Sequence, residues 1–254
     1  MSNIIAIANK ELKSYFASPI GYVVLGFFAL LYGWFYVTIL RYFVQQSMSM
    51  NQFGPQSMNI NQQMIRLLLQ NVTVLLLFVL PMITMRTYSE EKRSGTIELL
   101  LTSPLTDFQI IMGKFLGALA LYSVMLLMTM IHIGVLFVYG RPEWKPIVSA
   151  YLGLLLMGGC FISAGLFISS LTKNQIVAVM ATFAVFLFLW VINWIGSFSG
   201  PEVEKITSYL SIIEHFDDFA KGVIDTTHVI YYLSFITFGL FLTAKSVDSE
   251  RWRG

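Results

Sequence analysis

The sequence is poor in charge and has a single cysteine. Only 30 of its 254 residues are Asp, Glu, Lys or Arg, which is 12%, against about 25% in an average soluble protein. One cysteine excludes a disulfide framework, and a hydrophobic content of 56% excludes a disordered chain. So few charges could not cover the surface of a soluble fold of this size. The net charge of +2 gives no sign of a nucleic-acid partner.

The charges that are present lie between long apolar stretches. Six charge-free apolar stretches occupy residues 14–40, 67–85, 115–140, 146–172, 174–201 and 226–244. A membrane-spanning helix needs about 20 mostly apolar residues, and a charge at the bilayer centre costs at least about 2.5–3.5 kcal/mol. The sequence therefore predicts an all-α integral membrane protein, a single transmembrane domain over residues 1–254. The predicted transmembrane helices are 18–41, 66–86, 115–139, 147–171, 176–198 and 227–246.

The distribution of basic residues predicts the orientation. Six spans place both termini on one side, and ten of the 16 Lys and Arg residues fall on that side. The positive-inside rule then puts the termini in the cytoplasm. The first apolar stretch is too long for the core of a cleavable signal peptide. A seventh charge-free stretch, residues 42–65, is rich in Gln, Asn and Ser and is predicted to be a loop.

Residues 2–16 predict an amphipathic helix that lies on the inner membrane surface. At 100° per residue, one arc carries Ile4, Ile5, Ala8, Leu12, Tyr15 and Phe16, and the opposite arc carries Asn9, Lys10, Lys13 and Ser14. Basic residues beside an apolar face are typical of interfacial helices, and Lys10, Leu12 and Lys13 are the candidate residues here. The alternative is a charged segment that only fixes the topology.

Several features inside the spans favour packing over chemistry. Pro81 is expected to interrupt the second span. Gly113 and Gly117, like Gly159 and Ser163, have the small-x-x-x-small spacing that allows helices to approach closely. An ionisable group inside the membrane suggests a function, yet we expect His132 to be a neutral, hydrogen-bonded side chain. The same interpretation applies to Asn71 and Asn193.

Two segments on the predicted outer side invite a metal-site hypothesis. Residues 201–226 predict amphipathic helices in the outer interface. A site built from His215, Asp218, Asp225 and His228 lacks the close ligand spacing of metal centres. Met48, Met50 and Met58 carry thioethers that suit Cu(I), but no other soft ligand accompanies them. We therefore expect no metal in this chain.

The segment 86–113, between the second and third spans, holds the most specific pattern. A charged cluster at residues 90–93 is followed by Gly95, by leucines at 99–101 and by Pro104. Leucines on the aqueous side of a membrane favour a partner that buries them. The alternative is a connector with an interfacial helix.

The run from Glu90 to Leu100, followed by Thr102-Ser103-Pro104 and Gly113-Lys114, resembles the cytoplasmic signature of ABC-2-type transporter permeases. Six spans, inward termini and an amphipathic N-terminal helix extend the resemblance to the whole chain. Residues 211–252 resemble a narrower branch, which includes gliding-motility-associated permeases and the permease of nitrous-oxide-reductase maturation. That branch is diverse in cargo, so the narrower likeness gives no substrate.

The resemblance implies a permease subunit, most often paired with a second copy or a related permease, that binds a separate cytoplasmic ATPase. It implies that segment 86–113 is the coupling element that docks on the ATPase, with an accessory periplasmic protein as a further candidate partner. It also implies that the helices before the last span form a re-entrant element on the outer side. Such a multi-pass protein is expected in the bacterial inner membrane. The coupling residues are then Glu90, Glu91, Arg93, Gly95, Thr96, Glu98, Leu99 and Leu100. Independently, the sequence lacks G-x-x-x-x-G-K-[ST], the loop that cradles nucleotide phosphates. ATP and Mg²⁺ are therefore expected in the partner, with no cofactor and no catalytic residue in this chain.

Other function classes remain as alternatives. A membrane-embedded enzyme would need nucleophiles, bases or ligands gathered at one depth, and one cysteine with three scattered histidines does not supply them. An ATP-independent channel or carrier usually has paired acidic or arrayed basic residues within its spans. A membrane scaffold protein is the third alternative. Copurification of an ATPase would distinguish these from an exporter.

Overall fold

The described part of the chain is helical throughout. The computed structural model describes residues 2–50, 59–198 and 200–251, and no strand occurs among them. The helices are α1 (Ser2–Ala17), α2 (Pro19–Met50), α3 (Arg66–Thr84), α4 (Arg86–Ser94), α5 (Thr96–Leu101), α6 (Asp107–Tyr139), α7 (Trp144–Leu171), α8 (Gln175–Ser197), α9 (Pro201–Leu210), α10 (Ile212–Lys221) and α11 (Thr226–Arg251).

Six helical segments are long and apolar enough to cross a membrane. They are Pro19–Ser49, Asn61–Ser94, Asp107–Tyr139, Trp144–Leu171, Gln175–Ile192 and Thr226–Glu250. The second of these joins a π-helical turn at Asn61–Ile65 to α3 and α4. The predicted all-α class with six candidate membrane helices is confirmed.

Three boundaries differ from the sequence prediction. The predicted loop at 42–65 is wrong for its first part, because α2 continues to Met50; no Gly or Pro interrupts the chain between Gly33 and Gly54. Segment 86–113 is not a loop, because α4 and α5 fill its first half and α6 begins at Asp107. The α6 start is set by a capping box, in which Thr106 and Gln109 satisfy each other's backbone N–H groups.

The helices α7 and α3 form the centre of the bundle, and small residues set the closeness of their contacts. A methyl group added at Gly159 or Gly239 would overlap the opposing Ile236 or Ser163, so α7 and α11 pack almost backbone to backbone. Gly158 lies against the ring of Tyr122 of α6. The packing interpretation of Gly159 and Ser163 agrees with this geometry.

Contacts between helix ends define two ends of the bundle. At one end, here called the terminal end, α1 packs on the first turns of α6, and Lys92 of α4 bonds to Glu250 near the end of α11. At the opposite end, Asn61 bonds to the backbone of Glu143, and Arg66 of α3 bonds to Asp217 of α10.

The predicted outer amphipathic segment consists of two helices. Ser211 separates α9 from α10 with an extended backbone, and its hydroxyl caps α10 at Glu214. The apolar face of α10 is buried, with Ile212 and Phe216 almost inaccessible. The apolar residues of α9 stay exposed, and they are Val203, Ile206, Tyr209 and Leu210.

Candidate functional site

The helices α3 and α4 form one helix that is interrupted one turn after Pro81, at Met85. The hydroxyl of Ser169 on α7 forms hydrogen bonds with the backbone at this interruption. It accepts hydrogen bonds from the backbone N–H groups of Tyr88 at 3.1 Å and Ser89 at 3.2 Å, and it donates to the carbonyl of Met85 at 2.9 Å. These bonds satisfy backbone groups of Met85 and of the start of α4 and hold the interruption closed; we call this point the hinge.

The hinge is also held from two sides by close packing. On α7, Gly165 lies so near Thr84 that an added methyl group would be 2.3 Å from the threonine hydroxyl. From α1, the buried Tyr15 donates its hydroxyl to the carbonyl of Ile83 at 2.9 Å. Burial raises the pKa of the Tyr15 phenol well above its ordinary value, so this hydroxyl keeps its proton. The start of α4 is thus fixed against α1 and α7.

Next to the hinge, a buried cation joins α1, α4 and α6. The Nζ atom of Lys114 lies 2.8 Å from Glu91 Oε1, 3.1 Å from Glu11 Oε1 and 2.8 Å from the carbonyl of Thr87, which occupies its three donors. Its side chain is 1% exposed and lies 4.9 Å from the ring centre of Tyr88. We call Glu11, Glu91 and Lys114 the ion cluster.

Helix α1 reaches the ion cluster because two glycines of α6 let it approach. A methyl group at Gly113 would be 2.6 Å from the Cβ of Ile7, and one at Gly117 would be 2.7 Å from the Cβ of Glu11. The close contact expected from this G-x-x-x-G pair is therefore present, and its partner is α1. The packed face of α1 differs from the predicted apolar arc, since Ile7 and Glu11 are buried while Ile5 is 58% exposed.

The predicted interfacial residues take different positions on α1. Lys10 and Lys13 are exposed and Leu12 is partly buried. Lys10 lies at the edge of the ion cluster, with its Nζ atom 3.5 Å from Glu91 Oε1 and 3.8 Å from Glu11 Oε1. A polar cavity of about 290 Å³ opens here between α1 and α4.

The predicted coupling residues separate into an internal and an external group. Glu91 belongs to the ion cluster, and Glu90 pairs with Arg86 at 2.7 Å within α4. The exposed group is Arg93, Gly95, Thr96, Glu98 and Leu99, with Leu100 partly buried.

The external group is presented by a turn and a short helix. Gly95 has φ 73° and ends α4 in the left-handed conformation, which favours glycine. Helix α5 follows and is anchored by Ile97, which is 9% exposed, while Leu99 is 72% exposed. A charged and apolar surface therefore projects at the terminal end from a helix that is fixed on its inner side.

The sequence analysis gives no role to Glu11 or Ser169, and it includes Lys114 in the signature without predicting its ion pairs. The amphipathic pattern of α1 does not include Glu11, although Glu11 lies on the same helical face as Ile4, Ile7 and Tyr15. A carboxylate on such a face, together with a lysine at the start of an apolar span, was the available signal. Ser169 gave no signal, because serines are common on packed helices in membranes.

The proposed metal ligands at the opposite end do not converge. Asp225 accepts a hydrogen bond from the backbone N–H of Thr227 at 2.8 Å and caps α11. His215, His228 and Asp218 form a chain of hydrogen bonds instead. The copper hypothesis finds no support in Met48, which is exposed on α2; Met58 and the Met50 side chain lie outside the described residues.

Two of the polar side chains singled out within the spans, His132 and Asn71, have local contacts. His132 lies edge-on between Tyr32 and Tyr36 of α2, with ring centres 5.1 and 5.0 Å away, and its Nδ1 atom is 3.4 Å from the carbonyl of Met128. Asn71 donates to the carbonyl of Leu67 in its own helix at 2.7 Å. The side chain of Asn193 lies outside the described residues.

Six membrane-length helices, an N-terminal helix packed on the third span and a short exposed helix after the second describe a polytopic membrane protein. A family model for the ABC-2 family transporter proteins matches residues 5–244. The chain therefore belongs to the ABC-2 transporter family, as a transmembrane permease component.

Two curated relatives are similar over part of their length. Both are described as a probable multidrug ABC transporter permease, YbhR, one from Escherichia coli K12 and the other from Escherichia coli O157:H7. Each is 28% identical over 147 residues, which is 56% of this chain and 38% of the relative. The matched region thus spans well under half the length of these relatives.

Proposed function

We propose that this chain is the permease subunit of an exporter in the bacterial inner membrane, driven by ATP hydrolysis in a separate cytoplasmic subunit. The observation that carries the proposal is the exposed surface of α5, presented at the end of the second span on a helix fixed by the ion cluster. Family membership supports the ATPase partner. The terminal end then faces the cytoplasm, in agreement with the count of basic residues.

Docking in this proposal uses the external group alone. Leu99 inserts into a groove of the ATPase, where burial of a leucine is worth roughly 1.5–3 kcal/mol. Arg93 and Glu98 pair at the rim, and Gly95 sets the angle of α5. Glu91 has a different role, because its carboxylate already binds Lys114. It fixes α4 so that movement of α5 reaches the membrane helices.

The assembly in this proposal contains a second permease copy or a related permease, because one six-helix unit offers little room for a translocation path. The extensive apolar surface of α2 and α8 supports such packing, with Trp34 69% exposed and Ile176 72% exposed. The proposal also includes an accessory periplasmic protein as a partner. It further includes membership of the branch that contains the gliding-motility and nitrous-oxide-reductase-maturation permeases. A drug-like cargo is suggested only by the name of the relatives.

The docking surface is tested with Leu99→Asp, measured as ATPase retained on the detergent-extracted permease and as hydrolysis in nanodiscs. We expect the variant to insert normally, to lose most of the bound ATPase and to lose transport-stimulated hydrolysis. The matched control is Ile224→Asp, which places the same charge on a residue 54% exposed at the opposite end. Wild-type binding by Leu99→Asp would reject α5 as the docking element. If no ATPase copurifies with the wild-type protein, a channel, carrier or scaffold is favoured.

A further inference from the structure

At the opposite end of the bundle, two imidazole rings face each other across the turn between α10 and α11. The Nδ1 atom of His215 lies 2.7 Å from the Nδ1 atom of His228. The far side of each ring is also engaged. His215 Nε2 lies 3.0 Å from the carbonyl of Tyr209, and His228 Nε2 lies 3.0 Å from Asp218 Oδ2.

These partners determine how many protons the pair carries. A carbonyl oxygen and a carboxylate oxygen only accept hydrogen bonds, so both Nε2 atoms must carry hydrogen. A neutral imidazole has a single N–H. Two neutral rings would therefore bring two Nδ1 lone pairs to 2.7 Å with no hydrogen between them, which is repulsive. Two fully protonated rings would bring two N–H groups together, which is also repulsive.

We propose that His215 and His228 form a binding site for one proton, shared between their Nδ1 atoms, that ties α10 to α11. His228 is the imidazolium and donates to both Asp218 and His215, and His215 is the neutral ring. Every ring nitrogen then has a hydrogen bond of the correct sense. The site thus carries one positive charge that is absent from the net charge of the sequence, since that net charge treats every histidine as neutral.

The surroundings assign the charge to His228. His215 is 5% exposed and stacks on the ring of Tyr231 at 3.8 Å. Burial lowers the pKa of His215, and the charge of His228 lowers it further. The hydrogen bond between His215 and the carbonyl of Tyr209 opposes this shift. The hydrogen bonds from His228 and Lys221 hold the pKa of Asp218 below its ordinary value, so Asp218 is an anion beside His228. The first turn of α11 opposes a cation, and this carboxylate offsets the effect.

Among the charged groups around the pair, Asp218 is the carboxylate that binds His228 directly. Asp217 is shared between Arg66 at 2.5 Å and Lys221 at 2.7 Å, so its charge is already compensated. The contacts that α7 makes here are uncharged, with Gly153 against Phe219 and Pro146 against Gly222. The charged groups of α9, α10 and the α10–α11 turn that share the cavity or face the pair are Glu204, Lys205, Glu214, Asp217, Asp218, Lys221 and Asp225.

The proton count makes the link between α10 and α11 strongest near the pH at which free histidine titrates, about 6.5. Above it, the folded pair retains one proton while the separated rings lose theirs, so the link weakens as pH rises. Below it, the separated rings take up a second proton that the pair excludes, so the link weakens as pH falls. With the orientation proposed above, the pair lies towards the outer side of the membrane. The proton count itself does not depend on that orientation.

The test is nitrogen NMR of the full chain with ¹⁵N-labelled histidine in lipid nanodiscs at pH 7.5. The chain has three histidines, so His132→Gln assigns the remaining two signals and serves as the control. We expect one ring with both nitrogens protonated and one ring protonated at Nε2 alone, with coupling across the Nδ1 pair. His215→Gln should abolish that coupling and shift the His228 signals. Two neutral rings at this pH, or signals that change on addition of EDTA, would overturn the shared proton.

A second measurement follows the link itself. Protection of residues 212–221 and 226–230 from hydrogen exchange, corrected for the intrinsic pH effect, should be greatest near about pH 6.5. Away from this pH, the protection should fall about tenfold per pH unit for each proton by which the separated rings and the folded pair differ. His132→Gln should keep this maximum, and His228→Gln should remove it. If His228→Gln shows the wild-type profile, the pair does not hold the helices together. An imidazolium that persists unchanged in His215→Gln would assign the proton to His228 and Asp218 alone.

Discussion

Replacement of Lys114 by methionine should release α1 from the bundle. The change removes the only fully buried ammonium of the ion cluster and leaves Glu11 and Glu91 facing each other. The nearest remaining cation is Lys10, at 3.8 and 3.5 Å, with a side chain 63% exposed. Removal of one partner from a buried ion pair costs about 3–5 kcal/mol, whereas exposed pairs are worth about 0–1 kcal/mol. Lys10 cannot replace the lost cation.

The assay is hydrogen exchange of the α1 backbone in nanodiscs. A loss of about 3 kcal/mol corresponds to roughly 150-fold faster exchange, since one factor of ten is about 1.4 kcal/mol. Lys10→Met should change the exchange rate by less than about fivefold. The triple variant Lys114→Met, Glu11→Gln, Glu91→Gln should recover much of the protection, because it removes the uncompensated charges together. Exchange of α1 within about threefold of wild type in Lys114→Met would refute the argument.

Three further predictions use the other contacts. Gly117→Ala should displace α1 and speed its exchange, because the new methyl group would be 2.7 Å from a Cβ atom; Gly134→Ala in the same helix, which has open space, should be neutral or slightly stabilising. Cysteines placed at Leu99 and Glu143 should react with reagents from opposite sides of the membrane, over a low background from the single buried native cysteine; labelling of both from one side would contradict the topology. Burial alone would raise the pKa of Asp217, but its hydrogen bonds outweigh burial and lower it. The ionised carboxylate therefore stabilises the wild-type protein above about pH 4, this stability is lost as pH falls, and Asp217→Asn should remove it. Equal stability of the two proteins at pH 7 would contradict this.

The sequence predicts the number of membrane helices well because the bilayer excludes charge. A charge-free stretch of about 20 residues has few alternatives to a spanning helix. It predicts their ends less well, because helices continue into water wherever capping and composition allow. The extension of α2 to Met50 and the start of α6 at Asp107 both have local causes. The Thr106–Gln109 capping box was visible in the sequence and would have corrected the second boundary.

The candidate site was predictable only in its exposed part. Leu99 and Arg93 stand in a recognisable local pattern, and both are exposed, Arg93 at the end of α4 and Leu99 on the short helix α5. The ion cluster joins residues 11, 91 and 114, and no local rule links positions 103 residues apart. Its formation depends on how closely α1 approaches Gly117, which also sets the rotation of α1. Periodicity finds an apolar face, but the neighbouring helix decides which residues of that face are buried.

The relative strengths of the contacts around α4 indicate where the proposed coupling motion occurs. The ion cluster joins α4 to α1 and α6 through a buried charge, and breaking it costs about 3–5 kcal/mol. The hinge at Met85 is held to Ser169 by three neutral hydrogen bonds, each worth about 0.5–1.5 kcal/mol and each replaceable by the ordinary bonds of a helix. A force applied at α5 would therefore move α1, α4 and the start of α6 as one unit. The second span would yield at the hinge, one turn beyond Pro81.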